Sequence, residues 1–349
     1  MGNSENFHME RFELSGVVGE RIEFLSANPQ NYVQAISKLS ECAEVQIDGK
    51  LFLPKSAKPL PAVIIVPGSL GVSDNHLAHA ETLLNERIAV FVLDPFANRG
   101  VDSTVANQTQ YSFAASAFDV LAALRTISQF SKIDSNRISA QGHSRGGSAV
   151  LIAAERAFAE PIVGPDYGFK SVYAVYPWCG HQFETPDVGG TTVRAIVGEL
   201  DEWVSVQQIQ SQIQAINLCG GEASVRIVTG AAHSFDKEEK IHVIPEASVA
   251  PNAPTFFLDP DGAMIDPYSG SSSAIATDRT HFLQAVEAGH GRRGASIGGT
   301  KEHQKIFRDD MLSFHKSNFL VTFPSYAKSK VCYMEEPQTA KRFVTLGVL

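Results

Sequence analysis

The chain has 349 residues, 44% of them hydrophobic and 19% charged, with a formal net charge of −9. This balance excludes a disordered, collagen-like or coiled-coil chain. The acidic excess argues against nucleic-acid binding, which calls for a basic patch. At about 150 residues per domain the length allows two domains, though α/β enzymes often use it as one.

The opening residues, MGNSENFHMERFELS, hold no apolar run of the signal-peptide kind, and Asn6 breaks the myristoylation pattern that begins at Gly2. No stretch approaches the ~18 apolar residues of a membrane-spanning helix, so no membrane partner is expected. Cys42, Cys179, Cys219 and Cys332 lie far apart with no CxxC pair. They read as free thiols in a reducing compartment, and a cytoplasmic location follows as an expectation.

In chain order, residues 45–53 (VQIDGKLFL) read as a β-hairpin turning at Asp48-Gly49. The run AVIIV (62–66) has the continuous apolar character of a parallel strand buried on both faces. A helix over 76–87, a strand over 88–94, a helix over 111–130, a strand over 137–142 and a helix over 144–158 follow. Strands over 171–177, 192–198 and 224–230 come next, with a helix over 205–217 between the last two. Strands alternating with helices predict a mostly parallel sheet with helices on both faces. After residue 237 the rhythm breaks. Residues 245–275 are rich in Pro, Gly, Ser and Asp, and an amphipathic helix over 301–319 closes the pattern. We find no internal repeat. A single α/β domain over 1–349 is expected, with 238–300 as an insertion or cap-like segment.

The sharpest local motif is Gly142-His143-Ser144-Arg145-Gly146-Gly147, a G-x-S-x-G pattern between a strand and a helix. A tight strand-to-helix turn lifts the Ser144 hydroxyl above the sheet. It leaves no room for a Cβ two residues before or after, where Gly142 and Gly146 stand. The helix N-terminus aims its free N–H groups at developing negative charge.

A serine hydroxyl needs a base, and the base needs an orienting acid. Both should lie past the carboxyl ends of later strands. Asp201 stands 57 residues after Ser144, in GELDEWVS, and His233 stands 32 residues further on, in GAAHSFD. Glu199 and Glu202 flank Asp201, and either could be the acid. Of the other histidines, His76 and His79 share a helix face and read as solvated or partly packed. His281, His290, His303 and His315 belong to the late segment or the last helix.

Two backbone donors are needed for an oxyanion. The N–H of Arg145 supplies one. The loop Pro67-Gly68-Ser69-Leu70-Gly71 supplies the other, at Ser69 or next at Leu70; the alternative is an ordinary Gly-rich turn. Arg99, Trp178, Cys179 and Trp203 follow strand ends and should rim the pocket. Arg99 could grip an anionic substrate or pair with a carboxylate such as Asp102. The two tryptophans could line an acyl site or pack under loops, and Cys179 reads as a passive thiol. Two further motifs carry little. GASIGGTK (294–301) has the wrong residue order for a phosphate loop, and no strand is expected before it. Asp259-Pro260-Asp261-Gly262 lacks the later ligands of a calcium loop and reads as a hairpin turn.

Together these pieces resemble the α/β-hydrolase fold and, within it, the dienelactone hydrolase family. IIVPGSLGVSDN, VLDPFANRGVDST, GHSRGG, GELDEWV and GAAHSFD carry the likeness, over roughly residues 40 to 237 and the last helix. The resemblance implies the order nucleophile, acid, base. The family's namesakes carry a cysteine nucleophile, where Ser144 stands here, and an oxyanion-loop glutamate, where Gly68 stands. Their carboxylate-binding arginines correspond to Asn98, with Arg99 beside it, and to Lys237.

The expected activity is hydrolysis of a small-molecule carboxylic ester or lactone through an acyl-enzyme, with no metal and no organic cofactor, by a monomer or homodimer. An acyltransferase or a C–C or amide hydrolase on the same residues is an alternative. A noncatalytic binding protein is another.

Overall fold

A computed structural model describes residues 4–237 and 239–320. Cys332 lies outside them. The first half of the described chain contains β1 (Glu13–Leu14), β2 (Val17–Ala27), α1 (Tyr32–Ser37), β3 (Glu44–Phe52), β4 (Leu60–Val66), α2 (Asp74–Asn85), β5 (Ala89–Asp94) and α3 (Phe113–Ile127). Next come β6 (Ile133–His143), α4 (Arg145–Ala154), α5 (Arg156–Val163), β7 (Ser171–Val175), β8 (His181–Phe183), β9 (Thr192–Gly198), α6 (Val206–Leu218) and β10 (Glu222–Val228). The remainder holds β11 (His242–Val249), β12 (Phe256–Leu258), β13 (Met264–Ile265), β14 (Ser272–Ser273), α7 (Asp278–Glu287), β15 (Arg292–Ile297) and α8 (Lys301–Leu320).

Among the described residues the main sheet has nine strands in the order β1-β2-β3-β5-β4-β6-β7-β9-β10. From β5 to β10 every neighbouring pair is parallel, while β1, β2 and β3 form an antiparallel edge. This is the α/β-hydrolase architecture: a large, mostly parallel sheet flanked by helices. The central strands carry the core. Val63, Ile64 and Ile65 are fully buried. Each such side chain contributes about 1.5–3 kcal/mol by leaving water, which is why this stretch shows no polar alternation. Helix α8 is tied to the sheet by Asp310, whose carboxylate accepts from Tyr173, Arg194 and Arg226 on three different strands.

The chain runs from β4 to β5 on one side, then crosses back to lay β6 on the other side of β4. Order therefore reverses between β4 and β6, and their carboxyl ends open a crevice there, as doubly wound sheets do. The loop at Gly68-Ser69 and the turn at Ser144 border that crevice.

Segments expected from the sequence are present, except that the helix over 144–158 is two, α4 and α5, and two further corrections apply. Residues 45–53 do not turn back at Asp48-Gly49: Glu44–Phe52 is one strand paired with β2 and β5. Asp48 pairs with Arg21 on β2. Gly49 serves close approach, since a Cβ there would meet Phe91 Cζ at 2.5 Å. The second correction concerns GASIGGTK: its GASI portion is the end of a strand, β15, which leads into α8.

Residues 242–297 add a ribbon, β11–β15, and a small sheet in which β12 pairs in parallel with β8. Asp259–Gly262 turns the chain between β12 and β13 with Gly262 N–H bonded to Asp259 O, a hairpin. Among the described residues no helix is long and apolar enough to cross a membrane. Cys42, Cys179 and Cys219 are free.

Glu155, at the break between α4 and α5, is buried; one carboxylate oxygen accepts from Asp187 N–H at 2.9 Å and the other has no partner among the described residues. Burial lifts this carboxyl from 4.5 to about 8 against the pull of that N–H. The folded state thus binds its proton more tightly than the unfolded state. Its stabilising contribution is complete below the free value and is lost as pH rises through about 8. Glu155→Gln, which mimics the protonated form, should raise the melting temperature over the parent by more at about pH 8.5 than at about pH 5. A gain equal at both pH values, read by calorimetry, contradicts this.

Candidate functional site

Ser144 occupies the corner between β6 and α4 at φ 54°, ψ −115°. That is a backbone region where only a tightly determined turn holds a non-glycine residue. Its N–H is fixed to Val175 O at 2.9 Å. The flanking glycines are required: a Cβ on Gly142 would overlap the Gly146 carbonyl, and one on Gly146 would overlap Val66 O.

The Ser144 Oγ lies 3.0 Å from His233 Nε2, and His233 Nδ1 lies 2.7 Å from Asp201 Oδ2. The other Asp201 oxygen accepts from the backbone N–H groups of Trp203 and Val204 at 2.8 and 3.1 Å. An ionised carboxylate only accepts, so Nδ1 carries the imidazole proton and Nε2 is free to accept from the serine hydroxyl. The ring is clamped. Trp203 stacks on it at 5.2 Å and Tyr176 packs on it at 4.4 Å. The structure thus brings Ser144, Asp201 and His233 together across 89 residues of sequence. The flanking acids point elsewhere: Glu199 accepts from Gly230 N–H, and Glu202 accepts from Ser296 N–H and faces Arg292.

A cleft of about 730 Å³, counting the space open to solvent, holds Ser69, Ser144, Arg145, Trp178 and Trp203 in its walls. Leu70 is 53% exposed and lines an adjoining cavity with Lys237 and His233.

Arg99 is not at the rim. Its side chain is 4% exposed and pairs with Asp119 at 2.7 Å, with further bonds to Asn28, Pro95 O and Ala27 O. A guanidinium so engaged cannot grip a substrate, and its partner is Asp119 and not Asp102. His76 and His79 are also corrected: both are buried, because α2 packs against α8 through His79 and Phe307. Cys179 is buried, and burial pushes its thiol pKa up, as suits a passive thiol.

Sequence reasoning missed a polar network behind His233. Asp236 accepts from Tyr176 OH at 2.7 Å and from Asn75 at 2.8 Å, and it meets His79 Nε2 at 2.7 Å. Burial alone would raise Asp236; the bond from His79, with His143 and Asn75, outweighs it and holds the carboxyl well below its usual range. Burial lowers His143 to about 3. The donors of His79, His143 and Asp236 lie within 4.8 Å of one another, close enough to share an ion, yet each is already hydrogen-bonded within the protein. The network fixes Tyr176, and through it the His233 ring.

It also missed the buried side chain of Arg145. The Arg145 guanidinium is buried, donates to Tyr111 O at 2.8 Å and to Gln108, and lies 4.1 Å from the Phe113 ring. Only its backbone N–H was readable from the motif.

The family model described as the dienelactone hydrolase family matches residues 47–254. No curated protein matches the chain closely enough to count as a relative. Among solved structures, the chain is similar to a dienelactone hydrolase-like promiscuous phosphotriesterase from metagenomic libraries, at 16% identity over 77% of this chain and 96% of that one, TM-score 0.45. It is also similar to Thermogutta terrifontis esterase 2 phosphorylated by paraoxon, at 16% identity over 56% of this chain and 82% of that one, TM-score 0.43.

Proposed function

The chain belongs to the dienelactone hydrolase family, a family of carboxylic ester hydrolases, and we propose that it cleaves an ester or lactone by two-step acyl transfer through Ser144, His233 and Asp201. The observation that carries the reading is the unbroken relay from Ser144 Oγ through both ring nitrogens of His233 to Asp201. His233 Nε2 takes the hydroxyl proton as Oγ bonds to the carbonyl carbon. Asp201 holds the tautomer and stabilises the imidazolium. Backbone N–H groups of Arg145 and Ser69, with Leu70 as the alternative second donor, face the developing oxyanion, each worth about 3 kcal/mol. The tetrahedral intermediate collapses, the leaving oxygen takes the proton from His233, and water repeats the sequence to release the acid. Trp178 and Trp203 shape the acyl and alcohol sites in this reading, Lys237 borders the second cavity, and the 238–300 segment acts as a cap over the cleft.

An activated ester such as 4-nitrophenyl butyrate should release about one equivalent of nitrophenol per chain in a burst, followed by slower turnover to butyric acid. Turnover with no acyl-enzyme detectable by mass spectrometry under acid quench would contradict the two-step course. Product that appears only when an alcohol or amine acceptor is added would favour acyl transfer over hydrolysis.

A further inference from the structure

Helix α7 turns one stripe toward the cleft: Asp278, His281, Phe282 and Ala285, at i, i+3, i+4 and i+7. Asp278 is the unexpected member. It is a carboxylate at 6% exposure, and one oxygen accepts from Phe113 N–H at 2.8 Å. Among the described residues the other oxygen has no hydrogen-bonding partner. Its neighbour His181 Nδ1 stands 3.9 Å away, beyond hydrogen-bond reach. A carboxylate has about four lone-pair sites, so most of this group's accepting capacity is unused. A buried acceptor left unpaired is a standing cost that a ligand's donor would remove.

The same cleft is lined by Arg145, whose side chain also carries an orphan atom. Arg145 commits its two terminal nitrogens to Tyr111, Ser116 and Gln108, and among the described residues its Nε–H has no acceptor. The same cleft is lined by flat rings. Phe113 and Trp178 stack at 4.4 Å, and Trp178 lies 5.5 Å from the His281 ring.

We propose that this cleft takes esters of neutral hydroxylated aromatic compounds, and that Asp278 selects them by accepting a hydrogen bond from the hydroxyl. The inference rests on the ester-hydrolase reading for the scissile bond, and on the cleft alone for the ring and its hydroxyl. A ring packs against such aromatic faces. A hydroxyl is a donor, so it answers the free oxygen of Asp278 without adding charge. An ammonium ligand would face the Arg145 guanidinium, and a carboxylate would face Asp278. Burial raises Asp278 to about 6, against Phe113 N–H and Arg145, and lowers Arg145 to about 10, against Asp278. Both directions fit a pair that opposes either sign of added charge.

The chain's two tryptophans, Trp178 and Trp203, both line the cleft, so their fluorescence reports binding without turnover. The parent chain is titrated with 4-ethylphenol and with 4-ethylanisole, its methyl ether. The phenol should bind about tenfold tighter or better. Asp278→Asn, whose amide oxygen can still accept from Phe113 N–H while its NH₂ replaces the free acceptor, should shrink the preference to within about threefold. Equal binding of phenol and ether by the parent overturns the proposal, and so does an undiminished preference in the variant. Should Asp278→Asn not fold, Asp278→Ser serves in its place. Because binding is read, this outcome is separate from the acyl-enzyme burst, and either result can fail without the other.

Discussion

Ser144→Ala should lower kcat/KM on an activated short-chain ester by roughly ten-thousand- to million-fold, and adding His233→Ala to it should cost almost nothing more. The reason is geometric. His233 Nε2 touches the Ser144 hydroxyl at 3.0 Å, and in the proposed mechanism its work is done on that proton. Once the hydroxyl is gone the imidazole has nothing to activate, so the two losses do not add. Folding should be intact in Ser144→Ala, because the side chain lends α4 no capping bond and the corner is set by its backbone. Steady-state kinetics of both single variants and the double variant give the coupling directly. Losses that multiply would mean the two residues act independently, against the relay.

Gly142→Ala should damage the protein more than any catalytic substitution. A methyl group there overlaps the Gly146 carbonyl and crowds Gly147 N, and both are backbone atoms that cannot swing away. Either β6 or α4 must shift. We expect a loss of about 4 kcal/mol or more, in the range reserved for strain and overpacking at a fixed site. Calorimetry against Ser144→Ala, two residues away, isolates the effect. A melting temperature within a degree or two of that control would show that the strand-to-helix corner is looser than its contacts require.

The parts of this protein that follow local rules were legible. A buried parallel strand announces itself as an unbroken apolar run, as residues 62–66 do. The corner at Ser144 needs small residues at two fixed offsets, and strand ends mark where Asp201 and His233 must stand. What escaped depends on partners distant in sequence. Asp48-Gly49 has hairpin chemistry, but pairing with β2 on one side and β5 on the other outweighed it. Strand β2 itself hides behind Glu20, Arg21 and Glu23, charges its exposed positions tolerate. Arg99 looked like a rim residue because nothing in its own loop reveals Asp119 on α3. His76 and His79 looked solvated because a helix of mixed composition does not show that a second helix will cover it. Asp278 was lost among the Pro, Gly and Ser of the late segment, although its stripe with His281, Phe282 and Ala285 is readable at helical spacing.

The most direct test of the central claim is covalent. The intact chain is treated with a fluorophosphonate at neutral pH, digested, and mapped by mass spectrometry. One adduct per chain is expected, on the peptide carrying Ser144, and His233→Ala should slow its formation by orders of magnitude. An unmodified Ser144 in a chain that still hydrolyses esters, or an adduct that forms as fast without the imidazole, would contradict the account.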